Sequence, residues 1–130
     1  MSDEFKVEIV NPEKSFLSKE DVSEVVLPAF EGEMGILKDH IPLITFLRPG
    51  IIIIKQDSLD KILFVEEGTV EFVNNNLLIL SSTIKKLEDL DKNSIASIVK
   101  NSEDKMNNTN IGDKEKYFLS HKIDTLKQIS

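Results

Sequence analysis

Glu31 and Glu33, separated by a single glycine, are the first residues at which chemistry could reside. Paired carboxylates serve glycoside hydrolysis when they flank a scissile bond within a cleft. These two have neither partner aromatics nor a cleft pattern around them. Without them, two carboxylates this close in sequence read as simple loop charges, not as an acid/base pair. The only histidines, His40 and His121, lie far apart, and neither has a cysteine or second histidine at ligand spacing, so no metal site is expected. Serine is present without a nucleophile elbow, which argues against a small hydrolase. With no cysteine there is no disulfide framework and no thiolate chemistry. No catalytic residue and no cofactor are expected.

The elements that must carry these residues read as short strands. Residues 5–9 alternate apolar and charged side chains, so one face is buried and the other wet. Asn11-Pro12-Glu13-Lys14 is a turn, and strands are expected at 16–17 and 22–27. The segment 29–40, with Gly32 and Gly35, reads as irregular. Both glycines can take positive φ and allow close backbone approach. Strand character returns over 41–47, where Pro42 restricts it to an edge or a bulge. Arg48-Pro49-Gly50 then turns the chain into 51–55, whose isoleucine run reads as core. Strands at 62–65, 70–73 and 77–80 follow, separated by turns. This regular spacing points to an antiparallel sandwich or barrel.

The texture changes near Leu87. Ile95, Ile98, Val99 and Met106 fall at helical intervals after Asp91. Residues 107–112 are turn chemistry. A second helix from about Asp113 sets Leu119, Ile123, Leu126 and Ser130 on one stripe, with Tyr117 and Phe118 near its start. Asp113 can act as N-cap or first-turn acid. The expected fold is mainly β plus α: an N-terminal antiparallel β-sandwich over 1–87, then a C-terminal two-helix hairpin over 88–130. The helical stripes are thin, so packing must hold them, and this is the less stable part.

Composition narrows the classes further. The 130 residues carry a net charge of −7, which disfavours a nucleic-acid or anionic-membrane binder. Residues 1–90 hold nine Lys/Arg against 17 Asp/Glu, hence −8, whereas 91–130 hold seven against six, hence +1. Two segments with different partners fit that division. No apolar run approaches the roughly 20 residues that span a bilayer. Met1-Ser2-Asp3-Glu4 lacks the basic start of a secretion signal and is too acidic for a transit peptide, so a soluble protein of a reducing compartment is expected.

One stretch is far more specific. It contains Glu31-Gly32-Glu33-Met34-Gly35-Ile36, then His40, Pro42-Leu43 and Pro49-Gly50, in that order and spacing. This resembles the epsilon-subunit family of F-type ATP synthases, called delta in mitochondria. The likeness runs well over 5–91 and is architectural over 92–130. It implies a non-catalytic central-stalk subunit, held between the gamma subunit and the membrane ring of c subunits, that couples proton-driven rotation to ATP synthesis. It also implies a peripheral position on the cytoplasmic side of a bacterial inner membrane, reached through the complex alone. By family position, Glu31, Gly32 and Glu33 face the c-ring. Asn11, His40 and Thr45 face gamma, and Gly35, Pro42, Pro49 and Gly50 shape the connecting loops.

Some family members bind ATP through Ile/Leu-Asp, two residues and Arg-Ala. Here Leu90-Asp91 begins that motif, but Ser94 and Ile95 follow, and the single arginine, Arg48, lies elsewhere. Serine cannot replace a guanidinium on phosphate, so no ATP site is expected. An extended tail could still present Lys114, Lys116, Lys122 and Lys127 to acidic alpha and beta subunits. Weak regulation of ATP hydrolysis is the most it is expected to exert. The alternative reading is a free-standing β-sandwich binding module with a helical interaction tail.

Overall fold

The computed structural model describes residues 3–57, 59–108 and 110–129. Within them the strands are β1 (Phe5–Asn11), β2 (Lys14–Val22), β3 (Glu24–Ala29), β4 (Gly32–Leu37), β5 (Leu43–Leu47), β6 (Gly50–Gln56), β7 (Leu59–Val65), β8 (Gly68–Val73), β9 (Asn76–Leu80) and β10 (Lys85–Lys86). A 3-10 turn at Leu87–Asp89 leads into helices α1 (Lys92–Met106) and α2 (Asp113–Ile129). Ser130, the last residue of the expected α2 stripe, lies outside the described residues.

The strands pair in the order β10-β7-β6-β3-β5-β8-β9-β1-β2, with β4 beside β3. This ribbon folds over into two layers because β3 changes partner along its length. Val26 pairs with Ile53 of β6, and three residues later Ala29 pairs with Leu47 of β5. Alternate residues of both layers, among them Val7, Ile9, Leu27, Ile52, Ile54, Phe72 and Ile79, meet in one buried core. Period-two alternation is therefore realised as a sandwich with one dry interior. Pairing is antiparallel throughout, except that β1 lies parallel to β9.

Three sequence readings change. Residues 29–40 are not irregular, since β4 pairs with β3 along its whole length. Of that strand only Ile36 is fully buried, so its own alternation is faint and the neighbouring strand supplies the order. The strand expected over 41–47 begins at Leu43, and Pro42, which has no N–H to give a ladder, stays outside it. The isoleucine run divides: Ile52 and Ile54 point into the core, while Ile51 turns outward.

The helices explain that outward isoleucine. Phe64 of β7 sits opposite Ile51 in register and forms a second buried cluster with Ile95 of α1 and Leu126 of α2. α1 starts where the Asp91 carboxylate accepts the Ser94 N–H at 2.7 Å, an N-cap that satisfies a donor left free by helix geometry. This hydrogen bond holds the Asp91 pKa below the usual carboxylate range. α2 begins with Asp113 as a first-turn acid. Its Leu119, Ile123 and Leu126 are buried, as their spacing predicts. Full burial of such a side chain contributes about 1.5–3 kcal/mol, so a few residues hold the hairpin to the sheet.

Candidate functional site

Phe30 and Glu31 form a two-residue turn between Ala29 and Gly32, which pair across the β3–β4 hairpin. Gly32 has φ of 148°, a conformation open to glycine and strained for other residues. An added Cβ there would meet nothing within 4 Å, so conformation and not space demands glycine. Glu31 is exposed beside it, and Glu33, the second residue of β4, is exposed as well. Gly35 behaves otherwise: it is an ordinary strand residue lying against the Glu24 carboxylate. The acidic segment is thus a tight hairpin tip with one glycine of unusual conformation, not a loop hinged by two.

The base of that hairpin is packed closely. A Cβ at Gly50 would stand 2.5 Å from the Pro28 Cβ, so only glycine lets the β6 backbone pass β3 there. Pro49 sits in the bend before it. The Arg48 N–H donates to the Pro28 carbonyl at 3.0 Å, and the Phe30 N–H donates to the Phe46 carbonyl at 2.8 Å. The Arg48 guanidinium donates to the Tyr117 hydroxyl at 2.9 Å, and that hydroxyl donates to the Phe30 carbonyl at 2.6 Å. The Phe30 ring lies 4.9 Å from Tyr117 and 5.9 Å from Phe118, centroid to centroid. Lys122 of α2 and Glu66 form an ion pair at 2.7 Å. His121 meets the Tyr117 ring edge-on at 4.5 Å, and burial, then the Arg48 charge, lowers its pKa against a smaller opposing effect of Asp124.

The other expected contact residues lie on the β5-β8-β9-β1 layer or at its ends. The Asn11 carboxamide accepts the Glu13 N–H at 2.8 Å and closes the β1–β2 turn. His40 follows Asp39, a left-handed residue whose N–H and carboxylate both bond the Asn75 side chain, at 2.7 and 2.9 Å. Its ring meets the edge of Phe72 at 6.0 Å. Pro42 leads from it into β5. Thr45 is only 9% exposed and faces the interior, whereas its neighbours Ile44 and Phe46 face outward at 76% and 61%. Register then lines up Phe46, Thr69, Leu80 and Val10 in one outward row, and Ile44, Glu71, Leu78 and Glu8 in the next. A groove of about 750 Å³ opens at the end of this face, among Asn11, Phe30, Phe46, Leu80, Lys114 and Phe118.

Two-residue periodicity could have flagged Ile44 and Phe46 in place of Thr45. Nothing local could have flagged Tyr117 or Arg48, whose partners lie 87 and 69 residues away. Among the described residues there is no group of three or more His, Cys, Asp or Glu that could hold a metal. No described helix is long and apolar enough to cross a membrane.

Comparison with known proteins agrees with this architecture. Residues 4–86 match the family model described as the beta-sandwich domain of the ATP synthase delta/epsilon chain. The ATP synthase epsilon chain of Pelagibacter ubique is 57% identical over 130 residues, covering all of both chains. The mitochondrial ATP synthase subunit delta of Agaricus bisporus is 38% identical over 62% of this chain and 50% of its own length. Among solved structures, a chain in the mitochondrial ATP synthase of Euglena gracilis, in an assembly of OSCP, F1 and c-ring, superposes with a TM-score of 0.80. It is 16% identical, over 98% of this chain and 82% of that one. A chain of the central stalk and c-ring of the Tetrahymena thermophila enzyme superposes at 0.65 with 15% identity, over 98% and 96% of the two chains.

Proposed function

We infer the role of this chain from one premise: it belongs to the delta/epsilon family of ATP synthase subunits. It acts as a non-catalytic part of the central stalk, coupling proton-driven rotation of the c-ring to ATP synthesis through gamma. Residues 1–87 form the coupling body and 88–130 a helical appendage with at most a weak effect on hydrolysis. It takes no cofactor, and it sits on the cytoplasmic side of a bacterial inner membrane through the complex.

The observation that carries this reading is the pairing of two unlike surfaces on one close-packed body. The hairpin tip offers Glu31 and Glu33 as acceptors for basic side chains of the ring's polar loops, with Gly32 setting their angle. The uncovered face offers Ile44, Phe46 and Leu80 with Glu8 and Glu71 beside them, which suits an apolar, basically flanked segment of gamma. Asn11 and His40 border this surface. Thr45 supports it from within, while its outward neighbours make the contact. A dense interior transmits force between two such surfaces with little deformation.

Changing both Glu31 and Glu33 to lysine should weaken binding to the detergent-solubilised c-ring of the same organism by about ten-fold or more, and more at low salt. Gamma affinity should stay the same. Unchanged ring affinity would remove the hairpin tip from the ring interface.

A further inference from the structure

We propose that Tyr117 of α2 is a positioning residue for the ring-facing turn, so that the docked tail holds the coupling surface in place. This rests on the reading that Glu31 to Glu33 face the ring. A two-residue turn at a hairpin tip has few restraints of its own, and the order of Glu31 depends on how its neighbour Phe30 is held. Phe30 is held on three sides. Its N–H bonds Phe46, its carbonyl receives the Tyr117 hydroxyl, and its ring packs on Tyr117 and Phe118.

The Tyr117 hydroxyl is itself fixed. Arg48 donates a charge-assisted hydrogen bond to it, which polarises the phenol and makes it a better donor to the Phe30 carbonyl. The Arg48 backbone is anchored to Pro28, two residues before the turn. Pro28, Phe30, Tyr117 and Arg48 therefore form a closed ring of interactions around the base of the hairpin tip. It uses the chain's one arginine and its one tyrosine. Tail docking and turn order then share one free energy. Each must favour the other by the same factor, and ring binding that needs an ordered turn must stabilise the docked helices in return.

The test compares the full chain with its Tyr117→Phe and Arg48→Lys variants, after circular dichroism shows that all are folded. Affinity is measured for the solubilised c-ring and separately for gamma, with amide exchange followed over residues 29–33. Tyr117→Phe keeps the ring stacking and removes one hydroxyl. It should lower ring affinity about 3- to 10-fold, speed exchange at 29–33 and leave gamma affinity unchanged. Arg48→Lys should act in the same direction, because a mobile ammonium lacks the planar, fixed N–H that Arg48 aims at the phenol. Faster exchange with unchanged ring affinity would overturn the proposal, as would unchanged exchange, and equal losses toward ring and gamma would reduce Tyr117 to general stability. If the unaltered chain has no affinity for the ring, the ring-facing reading falls, and this proposal with it.

Discussion

The two outer faces of the sandwich present similar side chains and meet opposite fates. On β6 and β7, Ile51 and Phe64 lie beneath the helices, and Phe64 is almost wholly buried. On β5 and β9, Ile44, Phe46 and Leu80 stay open to solvent. The covered face shows what such an apolar strip becomes when its partner is part of the same chain. The open face has the same chemistry with carboxylates beside it, and α2 reaches only its end, where Lys114 and Phe118 line the groove with Phe46 and Leu80. Contiguous apolar surface of this kind marks interaction sites. The contrast teaches that the chain covers one apolar strip with its own tail and leaves a chemically similar one exposed.

The largest effect should come from undoing the covered face. Leu126→Ala removes a fully buried anchor and should cost about 2–5 kcal/mol of helix docking. Amide exchange should rise throughout α1 and α2 while the sandwich core stays protected; equal loss of protection in both would mean that they unfold as one unit. Deleting 91–130 in the reconstituted enzyme should raise ATP hydrolysis by less than several-fold. On the open face the pattern should invert. Phe46→Asp should alter the stability of the free chain by no more than about 0.5 kcal/mol yet reduce gamma affinity by about ten-fold or more. Preserved gamma binding would erase the distinction between the faces.

The smallest effect is one of pH. The docked state holds His121 below its ordinary pKa of 6.5, so it binds fewer protons than the released tail. Docking should be at full strength above that value and weaken as pH falls through it toward the depressed one. Exchange of α2 amides compared at about pH 7.5 and about pH 5.5 should show this, and His121→Phe should flatten the difference. Asp91 works in a separate, far more acidic window: its cap on α1 is present above the ordinary carboxylate range and is lost as pH falls through its lowered pKa.

What the sequence disclosed follows the range of the interactions involved. The alternation at Phe5, Val7 and Ile9 was legible because these inward residues are apolar while Lys6 and Glu8 between them are charged. The course of α1 was legible because Ile95, Ile98 and Val99 recur at helical spacing after Asp91, and the structure adds the Asp91 cap that starts it. β4 was not, because its order comes from β3 and its glycines imitate a loop. The roles of Glu31, Gly32 and Glu33 rest on family likeness, and the structure adds the reason for Gly32 in its φ. Thr45 reads as a surface residue by position, but period two turns it inward. Tyr117 reads only as a residue near the start of the second helix, and the folded chain brings it to Arg48 and Phe30.

The parallel pairing of β1 with β9 has a consequence for how the molecule is made. Val7 lies opposite Leu77, 70 residues further along the chain. β1 therefore waits, during synthesis, for nearly the last strand of its own sandwich. Until then the β1–β2 hairpin has an exposed edge and an apolar side without a lid, which is the state most open to wrong pairing.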